Sequence, residues 1–137
     1  MTVRLATGRY RTFEKSMGVP VAISLGKPKW PLPYQIVDEI RRLMPWGLLN
    51  RDLDFDEFTL RYRERLDRTG VEALAVRFEQ IASEHGEPVV LLCWEDLSKA
   101  SCHRRVFANW WTERTGESVP ELEPTPRPKQ MTLEVES

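Results

Sequence analysis

An α/β fold is predicted for this chain: a single small, three-layer-like domain with a short, mostly parallel or mixed sheet flanked by helices. Three observations predict it. Val89-Val90-Leu91-Leu92-Cys93 is a continuous apolar run of strand length, the pattern of a central strand buried on both faces in a sheet covered by helices. Alternating apolar residues near the amino terminus predict further strands. Helix-period segments precede the apolar run and one follows it, so the order is strands, helices, strand, helix.

Val3 and Leu5 alternate with polar neighbours and predict the first strand. Val19, Val21, Ile23 and Leu25, alternating with Pro20, Ala22 and Ser24, predict the second. Pro20 cannot donate a ladder hydrogen bond and belongs at the start or edge of that strand, and Gly26-Lys27-Pro28 ends it in a turn. Trp30-Pro31-Leu32-Pro33 is expected to be extended. Ile36, Ile40 and Leu43 recur at helical spacing and predict a helix within Gln35–Met44, stopped by Pro45.

The central helices carry stronger signals. Asp54-Phe55-Asp56-Glu57 places a capping residue and acidic charge at a helix start, and Phe55, Phe58, Tyr62 and Leu66 follow at helical intervals. Arg68 and Gly70 close this helix. Val71, Leu74, Ala75, Phe78, Ile81 and Ala82 form the stripe of a second, which ends at His85-Gly86. His85 suits that helix exit as a cation near the last carbonyls and is given no catalytic role. After the apolar strand, Ser101 is predicted to cap a third helix, with Val106, Phe107, Trp110 and Trp111 packing on the sheet and Arg114-Thr115-Gly116 as its exit. Val119-Pro120-Glu121-Leu122 is able to dock. The domain is expected to span residues 1–122, with 123–137 a flexible Pro-rich tail.

The chain of 137 residues suffices for one core and is too short for two. No apolar run approaches the ~20 residues that span a bilayer, and no charged-then-apolar leader opens the sequence, so a cytoplasmic protein without a membrane partner is expected. Two cysteines cannot form a stabilising framework, and in a reducing compartment they are expected to be buried, catalytic or metal-bound. The net charge of −1 conceals a gradient: residues 1–50 carry eight basic and three acidic side chains. An anion-binding surface is therefore expected to involve the front third. No Gly-rich phosphate loop or dinucleotide fingerprint occurs, and no motif indicates a cofactor.

The chemically dense segment is Cys93-Trp94-Glu95 through Cys102-His103-Arg104-Arg105, which joins the buried strand to a helix. Ligands of open α/β sheets sit beyond the carboxyl ends of strands, where the next helix also points its unpaired amides. With Ser101 as cap, Cys102, His103 and Arg104 fall in the first helical turn, where the dipole and neighbouring cations favour thiolate over thiol.

Leu91-Leu92-Cys93-Trp94-Glu95 followed by Cys102-His103-Arg104-Arg105, then Thr115-Gly116 and Val119-Pro120-Glu121-Leu122, resembles the domain of unknown function 488 family. More loosely, the resemblance takes in Phe58-x3-Tyr62-x3-Leu66 and Gly26-x-Pro28, so that it covers most of residues 1–122. The opening departs from the family: Ala6-Thr7-Gly8-Arg9-Tyr10 stands where a Gly-His/Tyr-Ser stretch is commoner. The resemblance implies a compact α/β domain with a shared Cys/Glu/Cys-His-Arg site, and no settled reaction.

Three readings of the site compete. In the first, Cys93, Glu95, Cys102 and His103 are catalytic, one sulfur being a thiolate, Glu95 carrying a proton and His103 acting as partner. Arg104, Arg105, Arg9 and Trp94 then bind a small anionic or nucleotide-like substrate. In the second, Cys93, Glu95, Cys102 and His103 hold zinc or iron, although Cys-x8-Cys-His is not a standard zinc spacing. In the third, the cysteines are packing residues and Glu95 pairs with Arg104 or Arg105. A Cys93–Cys102 disulfide across the loop would make a redox switch and ranks below these. A separate reading has Arg9, Arg11, Lys27, Lys29, Arg41 and Arg42, interleaved with Tyr10, Phe13, Trp30 and Tyr34, bind nucleic acid or a nucleotide. The alternative is a solvated basic face over core aromatics.

Overall fold

The structure, a computed structural model of the chain, describes residues 2–48, 53–94 and 102–123. The predicted tail, 123–137, lies outside them from residue 124 onward, and so do residues 95–101, among them Glu95 and Ser101. Four strands, β1 (Leu5–Arg9), β2 (Val19–Ala22), β3 (Asp38–Glu39) and β4 (Val89–Cys93), form one sheet in the order β1-β4-β2-β3. Every pairing in it is parallel. The helices are α1 (Phe55–Thr69), α2 (Val71–His85) and α3 (His103–Thr115). The α/β fold read from the sequence is the fold observed. Among the described residues, no helix is long and apolar enough to cross a membrane.

β4 occupies the centre, and all five of its residues are buried, as its unbroken apolar run requires. Val89 and Leu91 face one cluster with Val19, Val21 and Ile23, against residues of all three helices. Val90 and Leu92 face the other, with Ala6, Tyr10, Phe13, Ala22 and Tyr34. The second face is thus covered by connecting segments around Tyr10–Phe13 and Leu32–Ile36, where proline and aromatic residues supply the bulk. On the helical face Phe78 meets Trp111 edge-on at 5.3 Å and Phe107 at 6.0 Å. Such pairs add about 0.5–1.5 kcal/mol beyond the area they bury. Trp110 and Trp111 are both core residues.

Local signals account for the helix ends. Asp54 accepts the Glu57 amide at 2.8 Å and caps α1. Gly70 ends α1 and opens α2, and Gly86 ends α2. At Gly116 the chain turns left-handed at φ 79°, closing α3.

The helix predicted within Gln35–Met44 does not form. The Val37 amide donates to Pro20 O at 3.0 Å and the Ile40 amide to Ala22 O at 3.1 Å, so the backbone joins the sheet edge as β3. Only Arg41–Leu43 winds, as a single 3-10 turn. The interval between Pro33 and Pro45 is too short to repay helix nucleation, whereas β2 offers an unpaired edge. Pro20 is the second residue of β2, and its missing N–H falls on the side where β3 begins only opposite Val21. Gly18 allows a close approach at the same end: a Cβ there would lie 2.5 Å from the Pro88 carbonyl oxygen, which accepts the Val19 amide.

Candidate functional site

Parallel register brings the carboxyl ends of three strands together, with Arg9 opposite Cys93 on one side of β4 and Ala22 opposite Leu92 on the other. Ile23 continues β2 by donating its amide to Leu92 O at 3.1 Å. α3 begins above this end. Its N-cap is Cys102, in extended conformation, so the thiol sits just before the first turn and His103 and Arg104 open the helix. The sequence predicts Cys102 inside that turn; in the structure it stands one position earlier, as the cap. Glu95 and the expected cap Ser101 lie outside the described residues.

Cys93, Cys102 and His103 converge there, all three buried. His103 Nε2 lies 2.7 Å from the carbonyl oxygen of Ile23. A carbonyl can only accept, so this nitrogen carries a proton. The other nitrogen, Nδ1, is 3.7 Å from Cys93 Sγ and 3.7 Å from Cys102 Sγ. The ligand-type atoms of the three residues all lie within 4.8 Å of one another. The two cysteines are not joined in a disulfide.

The Cys102 thiol is held well below its ordinary range, chiefly by hydrogen bonding with Cys93. Burial works against the charge, while His103 and the Arg104 amide favour it. The Tyr62 ring meets His103 edge-on at 5.6 Å and closes the α1 side of the cluster.

The two arginines expected to bind a substrate anion are turned to the chain itself. Arg104, fully buried, sends Nε to Glu121 Oε1 at 3.0 Å and Nη2 to Oε2 at 2.8 Å, a two-pronged pair. Burial alone would oppose its charge, but Glu121 and the two sulfurs raise its pKa. Arg105 donates to Thr7 Oγ1 and to Val119 O, both at 2.9 Å. Thr7 Oγ1 in turn donates to Glu121 Oε1 at 2.6 Å. These bonds dock the segment expected to dock, since Thr7 N–H also bonds Pro120 O and Leu122 N–H bonds Thr7 O. Arg104 thus pairs with Glu121, while the pairing of Glu95 with Arg104 or Arg105 weighed from the sequence falls on Glu95, outside the described residues. Trp94 is half-exposed and stands edge-on to Tyr10 at 5.2 Å and to Trp30 at 5.5 Å, an aromatic wall beside the end of β4.

Sequence reasoning passed over three participants. Glu121 was legible as the one carboxylate among the docking residues, Tyr62 only as a core position, and the Ile23 carbonyl left no side-chain signal. No family model matches the chain, and no curated protein or solved structure does either.

The cluster can do two things chemically. A proton can be shared between Nδ1 and either sulfur while Nε2 keeps the ring fixed, the arrangement of a thiol activated by a base. Alternatively, two sulfurs and one imidazole nitrogen can ligate a tetrahedral metal, because bond lengths of ~2.3 and ~2.1 Å put sulfur and nitrogen about 3.6 Å apart. The observed 3.7 Å separations meet that requirement.

Proposed function

We propose that this protein is a thiol enzyme acting on a small anionic or nucleotide-like substrate at the carboxyl end of β4. The observation that carries the reading is the placing of His103 Nδ1 at 3.7 Å from both sulfurs, with Nε2 anchored on Ile23 O. Cys102 is the thiolate: its sulfur donates the electron pair that forms a bond to the substrate's electrophilic centre. The bond to the leaving group breaks, and the leaving atom takes the proton from Nδ1. Cys93 supports the thiolate by hydrogen bonding. Glu95 is assigned as a second proton carrier from its place in the Cys-x-Glu pattern, and Trp94 and Arg9 flank the substrate. Arg104 acts on the thiolate through its charge, since its Nε and Nη2 are directed to Glu121. The resemblance to the domain of unknown function 488 family supports treating these residues as one site.

A second reading, a zinc or iron centre on Cys93, Cys102 and His103, is favoured by the sulfur–nitrogen separations and by the Ile23 carbonyl, which accepts the hydrogen bond of Nε2 and would hold the ring with Nδ1 toward the metal. One experiment separates the readings: the pH dependence of alkylation at Cys93 and at Cys102, by peptide mass spectrometry on native, metal-analysed protein with and without chelator. Reaction of Cys102 with an apparent pKa far below the free value of ~8.5, independent of chelator, is the result expected. Protection of both cysteines that chelation relieves establishes the metal centre instead. If both stay inert until the protein unfolds, with or without chelator, neither reading survives.

A further inference from the structure

A cleft of about 370 Å³ opens between the 3-10 turn Arg41–Leu43 and the carboxyl half of α1. Four arginines line it: Arg41 and Arg42 from the turn, Arg65 and Arg68 from the helix. The helical pair stands three residues apart and so shares one face. Elsewhere the arginines of this region are neutralised, Arg61 by Glu57, Arg63 by Glu113, Arg77 by Asp38 and Arg114 by Asp67. Among the described residues none of the four has a carboxylate partner. The carboxyl end of α1 offers only about half a negative charge. Four guanidinium groups gathered in one cleft repel one another, and an anion seated between them removes that cost.

The cleft also presents an aromatic surface. Trp46 is 47% exposed yet held in place. Its Nε1 donates to Arg41 O at 3.1 Å, the Arg65 guanidinium donates to its backbone carbonyl, and the Arg41 guanidinium lies 5.5 Å from the ring centroid. Planar guanidinium forks match phosphate oxygens, and an exposed indole accepts a stacked base.

We propose that this cleft binds a nucleotide, free or as a unit of a single strand, with its phosphate on Arg42, Arg65 and Arg68 and its base against Trp46. The site is separate from the thiol cluster and does not depend on the activity proposed there.

The test uses the full chain, a fluorescein-labelled single-stranded RNA of about ten nucleotides read by anisotropy at low ionic strength, and ADP as competitor. The double variant Arg42→Glu/Arg68→Glu, both positions exposed and its fold checked by circular dichroism, is expected to weaken binding by at least about tenfold. Arg42→Lys/Arg68→Lys should retain most of it, and Arg11→Glu, which removes the cation over Trp30 instead, should leave it unchanged. Displacement of the RNA by ADP identifies a single nucleotide as the ligand; binding of the RNA without displacement identifies the strand. Failure of both RNA and ADP to bind overturns the proposal, as does binding that the double variant leaves intact or that Arg11→Glu abolishes equally.

Discussion

The proton on His103 Nε2 is directed to the Ile23 carbonyl oxygen 2.7 Å away, so that the imidazole presents Nδ1 for exchange with the two sulfurs. A strand end of β2 thereby sets the tautomer of a helix residue 80 positions further along the chain.

His103→Gln removes the ring nitrogen that faces the sulfurs while keeping a polar side chain. The alkylation profile of Cys102 is expected to move to higher pH by about one unit or more, worth ~1.4 kcal/mol of differential stabilisation. Peptide-resolved alkylation checks it; an unmoved profile would show that Cys93 alone sustains the thiolate.

The depressed pKa of Cys102 makes a signed prediction about stability. Between the folded value and the free-thiol value of ~8.5, the folded state holds a thiolate where the unfolded chain holds a thiol, so the unfolded state binds more protons and stability rises with pH. The contribution is complete above ~8.5 and is lost as pH falls through the folded value. Cys102→Ala should therefore narrow its gap from wild type as the solution is acidified, by at most about 1.4 kcal/mol per unit. Urea midpoints across the range from mildly acidic to mildly alkaline measure the gap.

Arg104 and Glu121 form the most buried ion pair among the described residues, with the guanidinium fully covered and the carboxylate partly buried. Removing one partner strands a charge, and Glu121→Ala is expected to cost about 3–5 kcal/mol. Replacing both, as Arg104→Met/Glu121→Leu, should recover much of that loss. A double-mutant cycle in urea denaturation gives the comparison, and equal destabilisation by the single and the double replacement would refute it.

Tyr62 donates its hydroxyl to the Leu43 carbonyl at 2.5 Å in the interior. Tyr62→Phe leaves that acceptor unsatisfied at nearly constant volume, so stability should fall by about 1–3 kcal/mol. The same bond ties the turn bearing Arg41 and Arg42 to α1. Chemical denaturation gives the magnitude.

What the sequence made legible follows its physics. The Val89–Cys93 run announced a central strand because burial on both faces leaves no room for polar residues, and Asp54, Gly70, Gly86 and Gly116 announced helix ends because backbone geometry there restricts residue choice. Ile36, Ile40 and Leu43 misled, since helical spacing is a local property and the competing partner, the edge of β2, is a distant one. The three members of the cluster were named from the sequence alone. Their mutual geometry was not, because it depends on a main-chain carbonyl. Arg104 and Arg105 read as anion binders because cations at a helix start usually face solvent; here a returning segment meets them first.

That returning segment has a consequence for the growing polypeptide. Glu121 follows Arg104 by 17 residues, so synthesis from the amino end produces the guanidinium first and its counter-charge later. Until Glu121 emerges, the start of α3 carries a cation that its final resting place would penalise, and the sheet edge at Thr7 lacks the residues that bond it. The segment that follows α3 off the ribosome is therefore the one that allows the thiol cluster's neighbourhood to close.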